Sequence, residues 1–159
     1  MMSIPAIKGV GIGIGPYAAS VPGSQMHDEI VPAPSRTKPP IGVARPTNNA
    51  GGLEGGVTNG EDLRVTGFMK PIATLMQPLR SVDLTTMQNA EAAIERSDVC
   101  AVPAAAVVGE AMVSFVLADA FREKLGGDSI DEIARHLAAT NEAVERRFAA
   151  ARSSVSPTR

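Results

Sequence analysis

The segment from residue 47 to residue 60 constrains the fold of this chain more than any other stretch. It runs Thr-Asn-Asn-Ala-Gly-Gly-Leu-Glu-Gly-Gly-Val-Thr-Asn-Gly, so two pairs of glycines are flanked by Asn-Asn and by Asn-Gly. Paired glycines adopt backbone dihedral angles that other residues avoid, and they leave few side chains in the way. The pattern is too long and too regular for a mobile surface turn, so it predicts a defined backbone structure.

Strands are predicted on both sides of this segment. Residues 4–15 place Ile12 and Ile14 on one face and glycines on the other, which is typical of a strand whose bare side admits another backbone or a flat ligand. Residues 63–69 form a second predicted strand, which Pro71 ends because proline removes a ladder donor. Between them, residues rich in Pro, Ser and Gly predict a long irregular loop over 16–46.

The second half of the chain is predicted to be mainly helical. A short strand over 81–86 and a helix over 88–94 are followed by a helix over 104–125 that is apolar nearly all round, and we expect it to be buried. Gly126-Gly127 then ends this helix, and the capping-box spacing of Ser129 and Glu132 begins an amphipathic one. With strands early and helices late, the order predicts an α+β fold in which an antiparallel sheet packs against long helices. Residues 1–152 form the predicted domain and residues 153–159 a disordered tail.

Composition excludes several classes of protein. With 44% hydrophobic and 20% charged residues, the chain is expected to be a soluble globular domain with a core of small aliphatic side chains. A net charge of −2 argues against binding to nucleic acid or to an anionic membrane. Glu110 and Asp119 make a membrane span over 102–121 unfavourable. A single cysteine and no secretory signal predict a cytoplasmic protein.

Ordinary catalytic motifs find little support. The glycines at 11, 13 and 15 lead into Pro16 rather than into a helix, which argues against a dinucleotide-binding fold. His27 and His136 are far apart in sequence and Cys100 has no partner at ligand spacing, so no metal site is predicted. Paired glycines at 47–60 leave N–H groups that suit an anion or the edge of a flavin.

One pair of side chains stands apart from these. Arg96 and Asp98 are two residues apart on a predicted extended segment, where they face the same side. An arginine can hold a neighbouring carboxylate ionised while binding a phosphate, so the pair suits chemistry at a phosphorylated substrate.

Several stretches also occur together in a recognisable order across residues 4 to about 140: Ile-Pro-Ala-Ile-Lys-Gly-Val (4–10), Gly-Ser-Gln-Met-His-Asp-Glu (23–29), the glycine segment with Glu61 (47–61), Met-Lys-Pro-Ile-Ala-Thr (69–74), Arg-Ser-Asp-Val-Cys-Ala-Val-Pro-Ala (96–104) and Glu-Ala-Met (110–112). In these blocks the chain resembles the chorismate synthase family, and most closely its actinobacterial-type members. The resemblance implies part of that family's β-α-β sandwich, and a carbon-oxygen lyase acting on phosphates. Such an enzyme converts 5-enolpyruvylshikimate 3-phosphate to chorismate in the shikimate pathway of aromatic amino acid biosynthesis.

The resemblance also implies a cofactor and its contacts. Reduced FMN is required although there is no net redox change, and NADPH enters only as a reductant. Asp98 matches the aspartate near flavin N5 that handles a proton. The matching positions for flavin contacts are Pro5, Ala6, Gly55, Lys70, Pro71, Ile72, Ala73, Thr74 and Arg96. We expect these positions and Asp98 to form one wall of a flavin pocket, in a cytoplasmic homotetramer with a small-molecule substrate and no nucleic acid or membrane partner.

The chain also departs from the family pattern. Gly11, Ile14 and Pro16 stand where the family has acidic residues and an aromatic, and residues 73–74 vary its Lys-Pro-Thr pattern. The family's N-terminal Gly-Glu-Ser-His-Gly block, its Arg-rich flavin segment and both of its catalytic histidines have no counterpart here. The N-terminal part is therefore expected to be missing and the lone chain to be inactive and prone to association. Two alternatives stay open, a truncated non-catalytic fragment and a module that binds FMN without chemistry.

Overall fold

The structure, a computed structural model, describes residues 1–33, 41–95 and 100–154. Ser154 is described by its backbone only. It is an α+β chain, as predicted. Its strands are β1 (Ile7–Ile12), β2 (Val31–Pro32), β3 (Val43–Ala44), β4 (Leu53–Glu54), β5 (Val57–Thr58), β6 (Val65–Met69), β7 (Arg80–Asp83) and β8 (Gln88–Glu91). Its helices are a 3₁₀ helix (Gly15–Ser20), α1 (Gly23–Met26), α2 (Val102–Leu125) and α3 (Ile130–Ser154).

The strands of the described residues pair as two-stranded sheets, β1 with β6, β2 with β3, β4 with β5 and β7 with β8. The last three pairs are antiparallel. The chain divides into two units, of which unit 1 comprises Met1–Gly9 and Gly67–Val113, and unit 2 comprises Val10–Thr66 and Ser114–Arg159. The strands predicted over 4–15 and 63–69 are confirmed as β1 and β6.

In unit 1, the helix predicted over 88–94 is wrong. Residues 88–91 form β8, which pairs with β7 in a register that sets Asp83 opposite Gln88. The Asp83 carboxylate accepts hydrogen bonds from the N–H groups of Thr85 (2.7 Å) and Thr86 (3.3 Å), and this turns the chain back on itself. Cross-strand pairing therefore overrides the helical preference of the segment, because the aspartate stabilises a turn that sets residues 88–91 against β7.

In unit 2, backbone packs against backbone where side chains are absent. Gly11, Gly13, Gly51 and Gly52 are all buried. Ile14 N–H donates to Asn49 O at 2.9 Å, and a Cβ added to Gly13 would overlap that same carbonyl oxygen. The prediction that the bare side of the first strand admits another backbone is confirmed, and that backbone is the glycine segment.

The described residues do not form the hydrophobic core that the composition predicted. Among the described residues, Ile7 is the one buried hydrophobic side chain, at 7% exposure. Helix α2 has the predicted span, but its predicted burial is wrong, since Val107 is 69% and Phe115 72% exposed and Gly109 is its one buried residue. By length and composition α2 could cross a membrane, which is weak evidence when a single helix passes that test.

The ends of the long helices in unit 2 follow the predicted capping. Gly126 adopts a left-handed φ of 65°, and its N–H donates to Arg122 O at 2.8 Å. Ser129 Oγ accepts from the N–H of Glu132 at 3.3 Å, and the Glu132 carboxylate accepts from Asp128 N–H at 2.8 Å. Helix α3 continues through Ser154, and residues 155–159 of the predicted tail lie outside the described residues.

Candidate functional site

The predicted site residues fall into three groups. Unit 1 contains Pro5, Ala6 and the stretch 70–74, while unit 2 contains Gly55. Arg96 and Asp98 lie outside the described residues. The expected convergence of all these positions on one flavin wall therefore stays a prediction, and each group is described by itself.

In unit 1, two of the predicted stretches meet. The N–H of Lys70 donates to Ala6 O at 2.8 Å, immediately beyond the paired strands β1 and β6. Ala6 has a φ of 67°, a left-handed conformation that costs a non-glycine residue about 1–2 kcal/mol. Strained backbone of this kind is concentrated at functional sites, so the Ala6–Lys70 junction is a candidate site.

The side chains around this junction are accessible. Those of Pro5, Lys70, Pro71 and Ala73 are exposed, and those of Ile72 and Thr74 are partly buried. Pro71 lacks an N–H group, so the chain leaves the strand immediately after the Ala6–Lys70 hydrogen bond. The junction thus presents an ammonium and left-handed backbone, which suit a ligand that is both flat and anionic.

In unit 2, Gly55 lies at the tip of a tight hairpin. Strands β4 and β5 pair Leu53 with Thr58 and Glu54 with Val57, which leaves Gly55 and Gly56 as the two-residue loop. Their φ values are 60° and 78°, as a type I′ turn requires. Apart from Gly55 and its two chain neighbours, no described residue has an atom within 4 Å of the place a Cβ on Gly55 would take, so the tip is open on that side.

A single carboxylate holds the residues that lead into this hairpin. Asp28 Oδ1 accepts hydrogen bonds from Thr47 Oγ1 (2.6 Å) and from the N–H of Asn49 (2.7 Å). Asp28 Oδ2 accepts from the N–H of Ala50 at 2.9 Å. Two consecutive backbone N–H groups are thus satisfied by a side chain about twenty residues earlier, which fixes the start of the glycine segment.

The charge state of Asp28 follows from the same contacts. Burial by itself raises the pKa of this carboxyl, because it disfavours the charged form. Hydrogen bonds from Ala50, Thr47 and Asn49, together with the positive charge of Arg45, outweigh that effect and leave the pKa of Asp28 below its ordinary value of 3.8. Asp28 is therefore an anion at neutral pH and acts here as an acceptor.

A second polar contact runs along the side of the hairpin. Arg45 Nη2 donates to Glu54 Oε2 at 2.7 Å, and Arg45 Nη1 donates to Asn59 O at 3.4 Å. Asn59 Nδ2 donates to the same Glu54 oxygen at 2.9 Å. The arginine side chain is only 15% exposed, so this ion pair is better shielded from solvent than an ordinary surface pair.

The amide side chain of Asn48 connects the two ends of the glycine segment. Its Oδ1 accepts from the N–H of Gly52 at 2.8 Å, and its Nδ2 donates to Asp62 O at 2.8 Å. The N–H of Asn59 also donates to Gly52 O at 3.1 Å, which closes the base of the hairpin. The defined backbone structure predicted for residues 47–60 is confirmed.

Sequence reasoning did not find Asp28, Arg45 or their role. Residues 16–46 were expected to form a long irregular loop, and His27 within it is exposed. No local spacing pairs Asp28 with residue 49, because the contact spans 21 residues. The available signal was the glycine segment itself, whose N–H groups require acceptors from elsewhere in the chain.

Other surfaces in the described ranges contribute little to a site. No group of three or more His, Cys, Asp or Glu side chains there could hold a metal ion. A groove of about 420 Å³ on α3 is lined by Ala139, Thr140, Ala143, Val144 and Arg147, and it includes none of the predicted site residues.

The chain is similar to known proteins over most of its length. The family model described as chorismate synthase matches residues 1–121. Among curated relatives, chorismate synthase of Geobacter sulfurreducens is 58% identical over 138 residues, which is 86% of this chain and 35% of the relative. Chorismate synthase of Moorella thermoacetica is 58% identical over 139 residues, again 35% of the relative.

A solved structure gives the same result at the level of the fold. The structure titled "Crystal Structure of Chorismate Synthase" superposes with a TM-score of 0.67 at 42% identity, covering 91% of this chain and 34% of that chain. This chain thus spans about a third of the length of the proteins that it matches. The actinobacterial-type label stays a prediction.

Proposed function

We propose a function for this chain from one premise, that it belongs to the chorismate synthase family. The proposal is that it supplies one part of an active site that eliminates phosphate from 5-enolpyruvylshikimate 3-phosphate. In that reaction the C–O bond to phosphate breaks, a ring C–H is lost and a new C=C bond forms, so the products are chorismate and inorganic phosphate with no net redox change.

The cofactor proposed for this site is reduced FMN, which when bound supplies electron density transiently to the substrate as phosphate leaves. The part assigned to this chain is to hold the flavin and to move a proton. Pro5, Ala6 and the stretch 70–74 would hold one edge of the flavin, and Gly55 would contact it without a side chain in the way. Arg96 would bind a phosphate or the flavin, and Asp98 would handle the proton.

The observation that carries this proposal is the hydrogen bond from Lys70 N–H to Ala6 O. It brings together two stretches that are more than sixty residues apart and that were both assigned to flavin contact from sequence. In unit 1, the exposed ammonium of Lys70 and the left-handed backbone at Ala6 suit a planar anionic group. In unit 2, the open space beside Gly55 suits the close approach of a flat group.

The surface of α2 supports a further part of the proposal, that the site is complete only with additional protein. An exposed helix bearing Val107 and Phe115 loses the hydrophobic stabilisation of about 25 cal/mol per Å² that burial would provide. Soluble proteins cover apolar surfaces of this kind. The cover that we propose is the part of the family fold that this chain does not span, about two thirds of the relatives.

Flavin binding is tested by titrating FMN into the chain and following the quenching of its fluorescence. We expect Lys70→Gln to weaken binding by about fivefold, because an ammonium beside an anion is worth on the order of 1 kcal/mol. Lys8→Gln is the matched control, since it removes the same charge from an exposed residue of β1 outside the predicted contacts. Equal weakening by both variants would argue for non-specific charge attraction in place of a site.

Catalysis is tested separately, under anaerobic conditions with reduced FMN and 5-enolpyruvylshikimate 3-phosphate. We expect the chain alone to form no chorismate. Adding the segment of the Geobacter sulfurreducens relative that lies outside the matched 138 residues should restore turnover. Chorismate formation by the chain alone would overturn the proposed inactivity. The absence of chorismate formation by the mixture would overturn the proposed complementation.

The remaining assignments rest on the family alone. We propose a cytoplasmic homotetramer that uses a small-molecule substrate and contacts neither nucleic acid nor membrane. The net charge of −2 supports the first of these exclusions. A chain that binds FMN without ever supporting turnover is the second candidate function, and the two experiments above separate it from a part of the enzyme.

A further inference from the structure

The Asp28 carboxylate is committed to the glycine segment more fully than a loop residue needs to be. It accepts a hydroxyl and two backbone N–H groups, all at 2.9 Å or shorter. Bonds to a charged acceptor are the stronger kind, and each is worth more than a neutral one. The segment that receives them begins the β4–β5 hairpin.

The contacts continue from Asp28 to the hairpin tip. Asp28 fixes the N–H groups of residues 49 and 50. The side chain of the preceding residue, Asn48, accepts a hydrogen bond from the N–H of Gly52. Gly52 O accepts from Asn59 N–H, which ties the outgoing strand to the incoming one. A two-residue loop at Gly55 and Gly56 follows directly, so its place is determined by how its base is held.

Glycine makes this external support necessary. Residues 51, 52, 55 and 56 are all glycines with positive φ. Glycine loses more conformational freedom on folding than any other residue, so such a segment stays ordered only when contacts from outside compensate. Asp28 and Arg45 are the charged side chains that supply those contacts in the described ranges of unit 2.

We propose that Asp28 is a positioning residue, which orders the Asn49–Ala50 turn and thereby sets the place of the Gly55 tip. It acts through the backbone and does not itself touch the ligand. That the tip contacts FMN rests on the function proposed above, whereas the ordering of the turn does not.

Amide hydrogen exchange, read residue by residue by NMR, tests the ordering on the 159-residue chain. Asp28→Asn keeps the shape of the side chain but sets an NH₂ group against backbone N–H donors. We expect exchange at residues 49 and 50 to speed up by about tenfold or more, with a smaller increase at residues 55 and 56. Glu29→Gln removes the same charge one residue away from an exposed side chain and should change these rates by less than about twofold.

A milder variant keeps the test decisive if Asp28→Asn loses the helical far-UV circular dichroism signal. Thr47→Val removes the hydroxyl donor alone and leaves the carboxylate and both N–H bonds in place. It should speed exchange at residues 49 and 50 by a few-fold. Unchanged rates in both variants would overturn the positioning role.

FMN titration of the same variants separates this proposal from the proposed function. If the unaltered chain binds FMN, Asp28→Asn should weaken binding several-fold and shift the visible band of the saturated complex, while Glu29→Gln should do neither. Tight binding with an unshifted band in an Asp28→Asn chain whose turn exchanges fast would overturn the link to the tip. If the unaltered chain binds no FMN, the flavin assignment fails while the exchange rates still decide the role of Asp28.

Discussion

Two aspartates of this chain close turns with the same chemistry, over very different distances in sequence. Asp83 accepts from the N–H groups of Thr85 and Thr86, two and three residues away, in the exposed β7–β8 hairpin. Asp28 accepts from the N–H groups of Asn49 and Ala50, 21 and 22 residues away. A local turn forms at little entropic expense, whereas the distant one must first close a long loop. The distant contact therefore needs additional partners.

The surroundings of Asp28 and of Asp83 differ in these additional partners. Asp28 also accepts from Thr47, lies partly buried and has Arg45 close enough to help lower its pKa. The pKa of Asp83 is lowered too, first by the hydrogen bonds from Thr85 and Thr86, but its side chain is fully exposed. A local aspartate thus shapes one turn and nothing beyond it, while Asp28 holds together two segments of unit 2.

The largest effect is expected where the backbone just after β1 meets the turn that Asp28 holds. Gly13→Ala would set a Cβ onto the carbonyl of Asn49 at a φ of 62°, and we expect it to lower the free energy of local opening by about 3 kcal/mol. The measurement is amide exchange at Ile14, which donates to that carbonyl.

Gly15→Ala is the control for the Gly13 variant, since Gly15 has a similar φ of 58° but nothing within 4 Å of an added Cβ. It should lose only the left-handed preference, about 1 kcal/mol. Equal losses at the two glycines would mean that the backbones of β1 and the glycine segment do not approach as closely as described.

The next effect compares the two aspartates directly. We expect Asp28→Asn to reduce the local opening free energy at Ala50 by about 2 kcal/mol, since hydrogen bonds to a charged acceptor are lost from a partly buried place. Asp83→Asn should reduce protection at Thr85 by clearly less, because solvent replaces the lost bonds of an exposed side chain. A larger loss for Asp83 would reverse the comparison.

How far the sequence predicts this molecule follows the same division between local and distant contacts. The span of α2, its glycine C-cap and the Ser129 cap depend on neighbours within four residues, and all three were predictable. In the β7–β8 hairpin, the strand predicted over 81–86 overlaps β7, whereas β8 was missed because residues 88–94 were predicted to be helical. The turn at Asp83 was the local signal for a hairpin.

The candidate site divides in a comparable way. The family resemblance indicated Ala6 and Lys70 as flavin contacts. No rule of sequence spacing predicts the hydrogen bond between them, because they are more than sixty residues apart. Asp28 was missed for the same reason. The expected burial of α2 was also wrong. Hydrophobicity indicates that a helix is stabilised by burial, but it does not indicate whether the described residues include a surface that covers the helix.

Acid provides a smaller and more selective effect. Because the folded-state pKa of Asp28 lies below its ordinary value of 3.8, its stabilisation is complete above that value and is lost as pH falls through the folded-state pKa. The amide chemical shifts of Asn49 and Ala50 should therefore change at a pH below 3.8, and the change should be absent in Asp28→Asn. Added salt should move this transition to higher pH, because it screens the attraction between the Asp28 carboxylate and Arg45 that helps to lower the pKa of Asp28.

The smallest effect concerns the two residues of the described ranges that are left-handed but are not glycine, Ala6 at 67° and Met87 at 56°. Replacing either by glycine relieves about 1 kcal/mol or more of strain but adds freedom to the unfolded chain, so we expect a net gain of only about 0.5 kcal/mol. Amide exchange at Lys70 reports the first, because this N–H donates to Ala6 O. Met87 lies in the β7–β8 turn, and its own N–H, which donates to Asp83 O, reports the second.

Ala6→Gly and Met87→Gly should differ in their affinity for FMN. If Ala6 is strained because it presents its backbone to FMN, Ala6→Gly should gain protection at Lys70 yet bind FMN a few-fold more weakly, since a freer backbone must be ordered again on binding. Met87→Gly should gain the same protection in its own turn and leave FMN affinity unchanged. If Ala6→Gly binds FMN as well as the unaltered chain does, the left-handed conformation serves the Ala6–Lys70 junction alone, and strain there is as local in its consequences as the strain at Met87.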